Sequence, residues 1–239
     1  HGSNSHVGNS YPEGFTNYMN KMYFTARTDQ YHSELCVIDS DSVYSTNIEL
    51  SNAYNNKNDI IEFNNKLYTA APYAGSSDIE LCEFDGTNLI LTSNITYYGS
   101  STPEEFCVYN NELYFSANSS NGSNSWGWGV GRELFKYDGV NVTLVHDINP
   151  LPGSNYSQLS SSPRDLTVSQ NNLYCSALGP WGRELYMHNN TSASGLIEIN
   201  SGNASSNPYS LIDYNNELFC IAYASSEYSI WKHSGNVLS

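Results

Sequence analysis

A hairpin phrase recurs five times in this chain, and that recurrence constrains the fold more than any other feature. It reads as strand, amide-rich turn, strand: NKMYFTA from Asn20, NNKLYTAA from Asn64, YNNELYFSA from Tyr109, QNNLYCSA from Gln170 and YNNELFCIA from Tyr214. The anchors Met22, Leu67, Leu113, Leu173 and Leu218 follow one another after 45, 46, 60 and 45 residues. Each precedes an aromatic (Tyr23, Tyr68, Tyr114, Tyr174, Phe219), and an alanine stands three places beyond it (Ala26, Ala71, Ala117, Ala177, Ala222). Asn-Asn between two apolar runs is a tight-hairpin signal, because asparagine tolerates the positive φ such turns require.

A second phrase follows in every unit: ELCVID at Glu34, ELCEFDG at Glu80, ELFKYDG at Glu133, ELYMHNN at Glu184 and the degenerate SIWKHSG at Ser229. Asp85-Gly86, Asp138-Gly139 and Ser234-Gly235 then turn the chain into a fourth strand such as LILTSNI or VTLVHDI. Four strands a to d in a period of 40 to 50 residues predict an all-β, five-bladed β-propeller with four antiparallel strands per blade. The expected blades are approximately 11–55, 56–102, 103–162, 163–207 and 208–239 of a single propeller. Helical periodicity is absent, which excludes an α-solenoid of the same repeat length.

Residues 1–10 stand outside the repeats, and His1-Gly2-Ser3 reads as an expression remnant. The last unit ends at Val237-Leu238-Ser239. Either His6 to Tyr11 supplies an edge strand, or the final blade is short, or the chain is cut from a longer array. No leader precedes the repeats, so a mature or trimmed chain is expected.

GRELFKYDG, the VTLVHDINP after it and the Ser-Ser-Pro three residues before Leu166 resemble the repeat family built on ELWxxDGT, found in hyalin-like and bacterial surface proteins. The resemblance spans roughly residues 59 to 200, with Phe135, Tyr186, Cys36 and Cys82 where that family usually carries Trp. It implies an extracellular, repetitive, adhesive protein.

Charge narrows the partners. Twenty-four acidic against 9 basic residues give a net charge of -15, which repels phosphate backbones and anionic membranes, so neither nucleic acid nor membrane insertion is expected. Five cysteines at Cys36, Cys82, Cys107, Cys175 and Cys220 lack metal-ligand spacing. Those aligned with Phe24, Phe115, Phe135 and Trp231 read as buried small hydrophobes, and His188 and His233, aligned with Ile38, Phe84 and Tyr137, read as packing histidines. Sequons at Asn94, Asn118, Asn121, Asn141, Asn155, Asn189, Asn190 and Asn203 permit a glycosylated, secreted protein.

If a-to-b and c-to-d turns share one side, longer b-to-c and d-to-a loops gather on the other, which becomes the candidate binding face. Every b-to-c loop carries an aromatic: Tyr31, Tyr73, Trp126 with Trp128, Trp181, and Tyr223 with Tyr228. Rings in polar Ser/Gly/Asn loops suit a sugar, whose apolar face stacks on the ring while amides take its hydroxyls. The same rings could instead plug gaps between blades. Arg132-Glu133 and Arg183-Glu184 enter strand c below that face, as structural ion pairs between blades or, for the arginines, as ligand contacts. Asp59, Glu105 and Asp165 recur at the start of strand a, where either Ca²⁺ or channel water would offset their repulsion.

The expected function is therefore a secreted or cell-surface binding propeller, lectin-like or adhesive, for a glycan or glycoprotein on a cell or matrix surface. A glycoside hydrolase using the channel-mouth carboxylates is the enzymatic alternative, which needs two carboxyl groups at a defined separation. A protein-protein adhesion scaffold is the third.

Overall fold

The computed structural model describes residues 10–27, 32–52, 59–73, 75–96, 99–119, 129–151, 160–190, 194–200, 202, 204–234 and 237–238. They form five four-stranded antiparallel sheets, each a meander in chain order. Sheet 1 is β1 (Glu13–Tyr18), β2 (Lys21–Arg27), β3 (His32–Asp39) and β4 (Ser42–Asn52). Sheet 2 is β5 (Ile60–Phe63), β6 (Lys66–Pro72), β7 (Ile79–Phe84) and β8 (Leu89–Ser93). Sheet 3 is β9 (Glu104–Tyr109), β10 (Glu112–Ser119), β11 (Gly131–Tyr137) and β12 (Val142–His146). Sheet 4 is β13 (Arg164–Ser169), β14 (Asn172–Gly179), β15 (Gly182–His188) and β16 (Gly195–Ile197). Sheet 5 is β17 (Tyr209–Tyr214), β18 (Glu217–Ala224), β19 (Glu227–Ser234) and β20 (Val237–Leu238). Val237 and Leu238 are thus the fourth strand of the last sheet; residues 1–9, most of the alternative edge strand, lie outside the described residues. Among the described residues no helix is long and apolar enough to cross a membrane.

The chain divides into two compact units, residues 1–94 with 99–104, and residues 95–98 with 105–239. In the first, sheets 1 and 2 share a core of Tyr18, Tyr23, Leu35, Val37 and Leu50 against Ile60, Leu67, Ala71, Cys82 and Phe84. In the second, sheet 4 is covered on both faces. Leu173, Cys175 and Ala177 pack on Tyr109, Tyr114 and Leu134 of sheet 3. Tyr174, Leu185 and Met187 pack on Leu218, Cys220 and Ala222 of sheet 5. Alternate residues of one strand point to opposite faces, so the Leu-aromatic phrase feeds two neighbouring cores at once.

The a-to-b turns are as read: Asn64-Asn65, Asn110-Asn111, Gln170-Asn171 and Asn215-Asn216 all take φ between 48 and 61°, as does Met19-Asn20 at 50 and 61°. Such paired positive φ values match the twist of the flanking strands. All five cysteines are free, Cys36, Cys82, Cys175 and Cys220 in the core. His188 and His233 are buried against Tyr114 and Tyr174 of the preceding sheet, and burial lowers both pKa values.

The glutamate of the second phrase holds consecutive elements together. Glu133 is fully buried; its Oε1 accepts the Ser161 N–H at 2.7 Å, and its Oε2 accepts the Ile148 N–H at 3.0 Å and the Ser161 hydroxyl at 2.5 Å. Glu184 repeats this with Ser206 N (2.8 Å), Ser206 Oγ (2.6 Å) and Ile199 N (2.8 Å). In the first unit Glu80 takes Ser101 N at 3.1 Å and Ser101 Oγ at 2.5 Å. Each clamp ties strand c to the segment leading into the next strand a. That segment is a repeated Ser-Ser-x-Pro whose third residue, Thr102, Ser162 or Asn207, takes φ of 43 to 44°.

Burial pushes the Glu133 carboxyl up to about 7, against the donors that pull it down. The folded chain therefore retains a proton that the unfolded chain releases near 4.5, so this term favours folding below pH 4.5, fades from there to about 7 and is absent above. The difference in urea midpoint between the parent and Glu133→Gln should change over that window and stay constant above it. Glu184→Ala, which removes the acceptor of four donors (the N–H groups of Ile199, Asn200 and Ser206 and the Ser206 hydroxyl), should cost about 2 to 4 kcal/mol in the same assay.

Candidate functional site

Antiparallel order places the b-to-c connection of each sheet at the end opposite its a-to-b and c-to-d turns. Long loops were expected there, but in sheets 4 and 5 the connection is a two-residue turn. Gly179 pairs with Gly182 across Pro180-Trp181, and Ala224 pairs with Glu227 across Ser225-Ser226. Proline presets φ for the first turn, and Gly182 at φ 134° supplies a backbone no L-residue adopts readily. Trp181 therefore stands on a rigid hairpin tip, 60 % exposed.

Tyr228 lies in β19 rather than in a loop. It faces Tyr223 across the hairpin with ring centroids 5.1 Å apart, and Tyr209 at the start of β17 lies 6.1 Å from it, both edge-to-face. Tyr228 is 58 % and Tyr209 44 % exposed, so the three rings form a surface cluster at the b-to-c end of sheet 5. Cross-strand pairing and edge-to-face contact hold the rings without burying them.

The remaining expected residues separate. Tyr73 is half-buried and packs on the core between sheets 1 and 2, which makes it a packing residue. Tyr31, Trp126 and Trp128 lie outside the described residues. Arg183 does not pair with Glu184: its guanidinium donates to the carbonyls of Ser176 (2.9 Å), Ser162 (3.0 Å) and Ser161 (3.2 Å). Arg132 donates to the Ser116 carbonyl at 3.3 Å. Where ion pairs between blades were expected, Arg183 meets carbonyl oxygens and Glu133 and Glu184 meet amide and hydroxyl groups. Desolvation, followed by the nearby Arg164 charge, lowers the Arg183 pKa.

The carboxylates at the start of strand a are also used differently from expectation. Glu105 Oε2 accepts the Asp165 N–H at 2.8 Å, and Asp165 Oδ2 accepts the Ser210 N–H at 3.0 Å, so each reaches the same position of the next sheet. The reason is a recurrent irregularity. Gly14, Glu105, Asp165 and Ser210 take φ of 53 to 64°, and in sheets 1, 4 and 5 the register slips across this residue. A bulge turns the N–H out of its own ladder. Among the described residues no three His, Cys, Asp or Glu side chains gather closely enough to hold a metal ion. Where a cation held by Asp59, Glu105 and Asp165 was expected, Glu105 and Asp165 cap backbone amides of the next sheet.

With this geometry in view, the solved structures it is similar to are informative about fold alone. The β-propeller domain of the trilobed protease from Pyrococcus furiosus, described as having an open velcro topology, matches with a TM-score of 0.52 at 11 % identity, over 95 % of this chain and 70 % of that one. A prolyl endopeptidase matches with a TM-score of 0.54 at 8 % identity over 97 % of this chain, which spans only 34 % of its length. The fold is of the β-propeller class. No protein-family model matches the chain, and no curated protein matches it in sequence.

Amide capping by Asp165 has a direct test. Asp165→Asn retains an acceptor and should change the urea midpoint little, whereas Asp165→Ala should lower stability by about 1 kcal/mol. Added Ca²⁺ should shift parent and both variants alike. A calcium-dependent gain lost on Asp165→Asn would restore the metal reading.

Proposed function

We propose that this chain is a five-bladed binding propeller of the cell exterior. Its ligand is a carbohydrate, carried by a glycan or glycoprotein of a cell or matrix surface, and it is taken up on rigid aromatic hairpin ends. The observation that carries the reading is the exposure of Trp181 on its Pro-Gly hairpin together with the Tyr209, Tyr223 and Tyr228 cluster. A pyranose offers an apolar face of C–H groups to such rings and hydroxyls to the surrounding polar groups. Pre-set rings lose little entropy on contact, so weak individual stacking suffices for recognition. Low charge density and a surface of amides and hydroxyls suit a neutral, hydroxylated ligand. Catalysis is not proposed, because Glu105 and Asp165 carry out backbone capping at their repeat position.

Titration against a panel of neutral oligosaccharides, followed by tryptophan fluorescence, tests the reading. A binding sugar should be weakened roughly tenfold by Trp181→Ala or Tyr228→Ala, the scale of one lost stacking contact. Trp181→Ala should change the unfolding free energy by no more than about 0.5 kcal/mol, as expected of an exposed side chain. No response across the panel, with retention of a deglycosylated protein partner, would favour the adhesion scaffold. Turnover of a chromogenic glycoside would favour the hydrolase.

A further inference from the structure

Two sequons have all three residues described, and the fold treats them differently. In Asn94-Ile95-Thr96 the asparagine is exposed, but Thr96 is only 2 % exposed. In Asn141-Val142-Thr143 both Asn141 and Thr143 are exposed, beside a Val140 that is 80 % exposed. The turn that carries Asn141 is held by the Asp138 carboxylate and one backbone bond: Asp138 Oδ1 accepts the Val140 N–H at 2.8 Å and the Asn141 N–H at 2.7 Å, and Asp138 N–H donates to the Asn141 carbonyl at 3.3 Å. These contacts engage only the main chain of Asn141. Asn118, by contrast, sits within β10, paired with Arg132, and the adjoining Ser119 is buried.

We infer that Asn141, at the β11–β12 turn, is an acceptor of N-linked oligosaccharide. In the transfer, Nδ2 of Asn141 forms a bond to C1 of an oligosaccharide carried on a lipid pyrophosphate. The bond from C1 to the phosphate oxygen breaks, the lipid pyrophosphate leaves with the electron pair, and the amide gives up one proton. Because the Asp138 cap binds backbone groups, the turn keeps its shape with a glycan attached. The turn closes the end of sheet 3 opposite its β10–β11 connection, so the glycan points away from the end where sheets 4 and 5 carry Trp181 and the tyrosine cluster. The modification is therefore compatible with ligand binding and does not depend on it.

The test is secretion of the full chain from a eukaryotic host, with site occupancy read by mass spectrometry after peptide N-glycosidase treatment in heavy-oxygen water. Asn141 should be converted to labelled Asp, Asn118 should not, and Asn141→Gln or Thr143→Ala should remove the label and one step of gel mobility without changing the unfolding midpoint. Sheet 2 offers an independent check, since Asp85 caps Thr87 and Asn88 in the same way at 2.9 and 2.8 Å. Ile90→Thr, at an exposed position two residues beyond Asn88, should add a glycan there. An unlabelled Asn141 in secreted or retained protein overturns the inference. Label at Asn118 in the folded fraction overturns the argument that the sheet excludes it.

Discussion

The buried carboxylate of the second phrase is the contact on which the rest of the structure depends. A carboxylate withdrawn from water is tolerated only where donors replace its hydration, and Glu133 and Glu184 find theirs in two segments, the end of their own sheet and the lead-in to the next. Each clamp thus sets how far the following sheet stands from its predecessor. The neighbouring residues make sense in that light. A side chain on Gly131 or Gly182 would meet Ser160 or Ser205 at 2.7 to 3.0 Å, so glycine is what allows the approach. The N–H groups of Arg132 and Arg183 donate to those same serine hydroxyls at 2.9 Å. Gly-Arg-Glu is thus one docking device for Ser-Ser-x-Pro.

Periodicity made the scaffold legible. Asn-Asn turns, alternating Leu and Tyr, and interchangeable Phe and Cys at core positions are all local signals that survive without coordinates. The partners of Glu133 and Arg183 were less legible: ion pairs between blades were expected, and both side chains meet uncharged groups far along the chain instead. The true partner of Glu133, Ser161, lies 28 residues away. A signal for it existed: Ser101, Ser161 and Ser206 each stand twelve residues before the leucines that anchor their repeats. Glu105 and Asp165 were harder to read, because bulged backbone with positive φ is ordinarily announced by glycine, and only Gly14 announces it here.

Length in sequence was also a poor guide to the binding end. Polar, glycine-bearing stretches between strands b and c suggested loops, yet Gly179 to Gly182 and Ala224 to Glu227 close as tight hairpins. Strand pairing runs to the last possible residue, so the aromatic is displayed by a sheet rather than by a loop. That difference matters to recognition, because a ring fixed by a hairpin needs little further ordering when a ligand arrives.

Repeat symmetry separates structural aromatics from those available for another use. At one position of strand a, Tyr18, Phe63 and Tyr109 are buried, whereas Tyr214 is 63 % exposed. Tyr109 spends its hydroxyl on the Asn171 carbonyl of the next sheet at 2.8 Å. Tyr214 instead makes an edge-to-face contact with Phe219, ring centroids 6.3 Å apart, without the burial that Tyr18, Phe63 and Tyr109 have. Trp181 differs from these, since it stands at the tip of a two-residue turn, where the matching turn of sheet 5 carries Ser225-Ser226. An indole left 60 % exposed gains little from burial, and the proposed ligand surface is centred there for that reason.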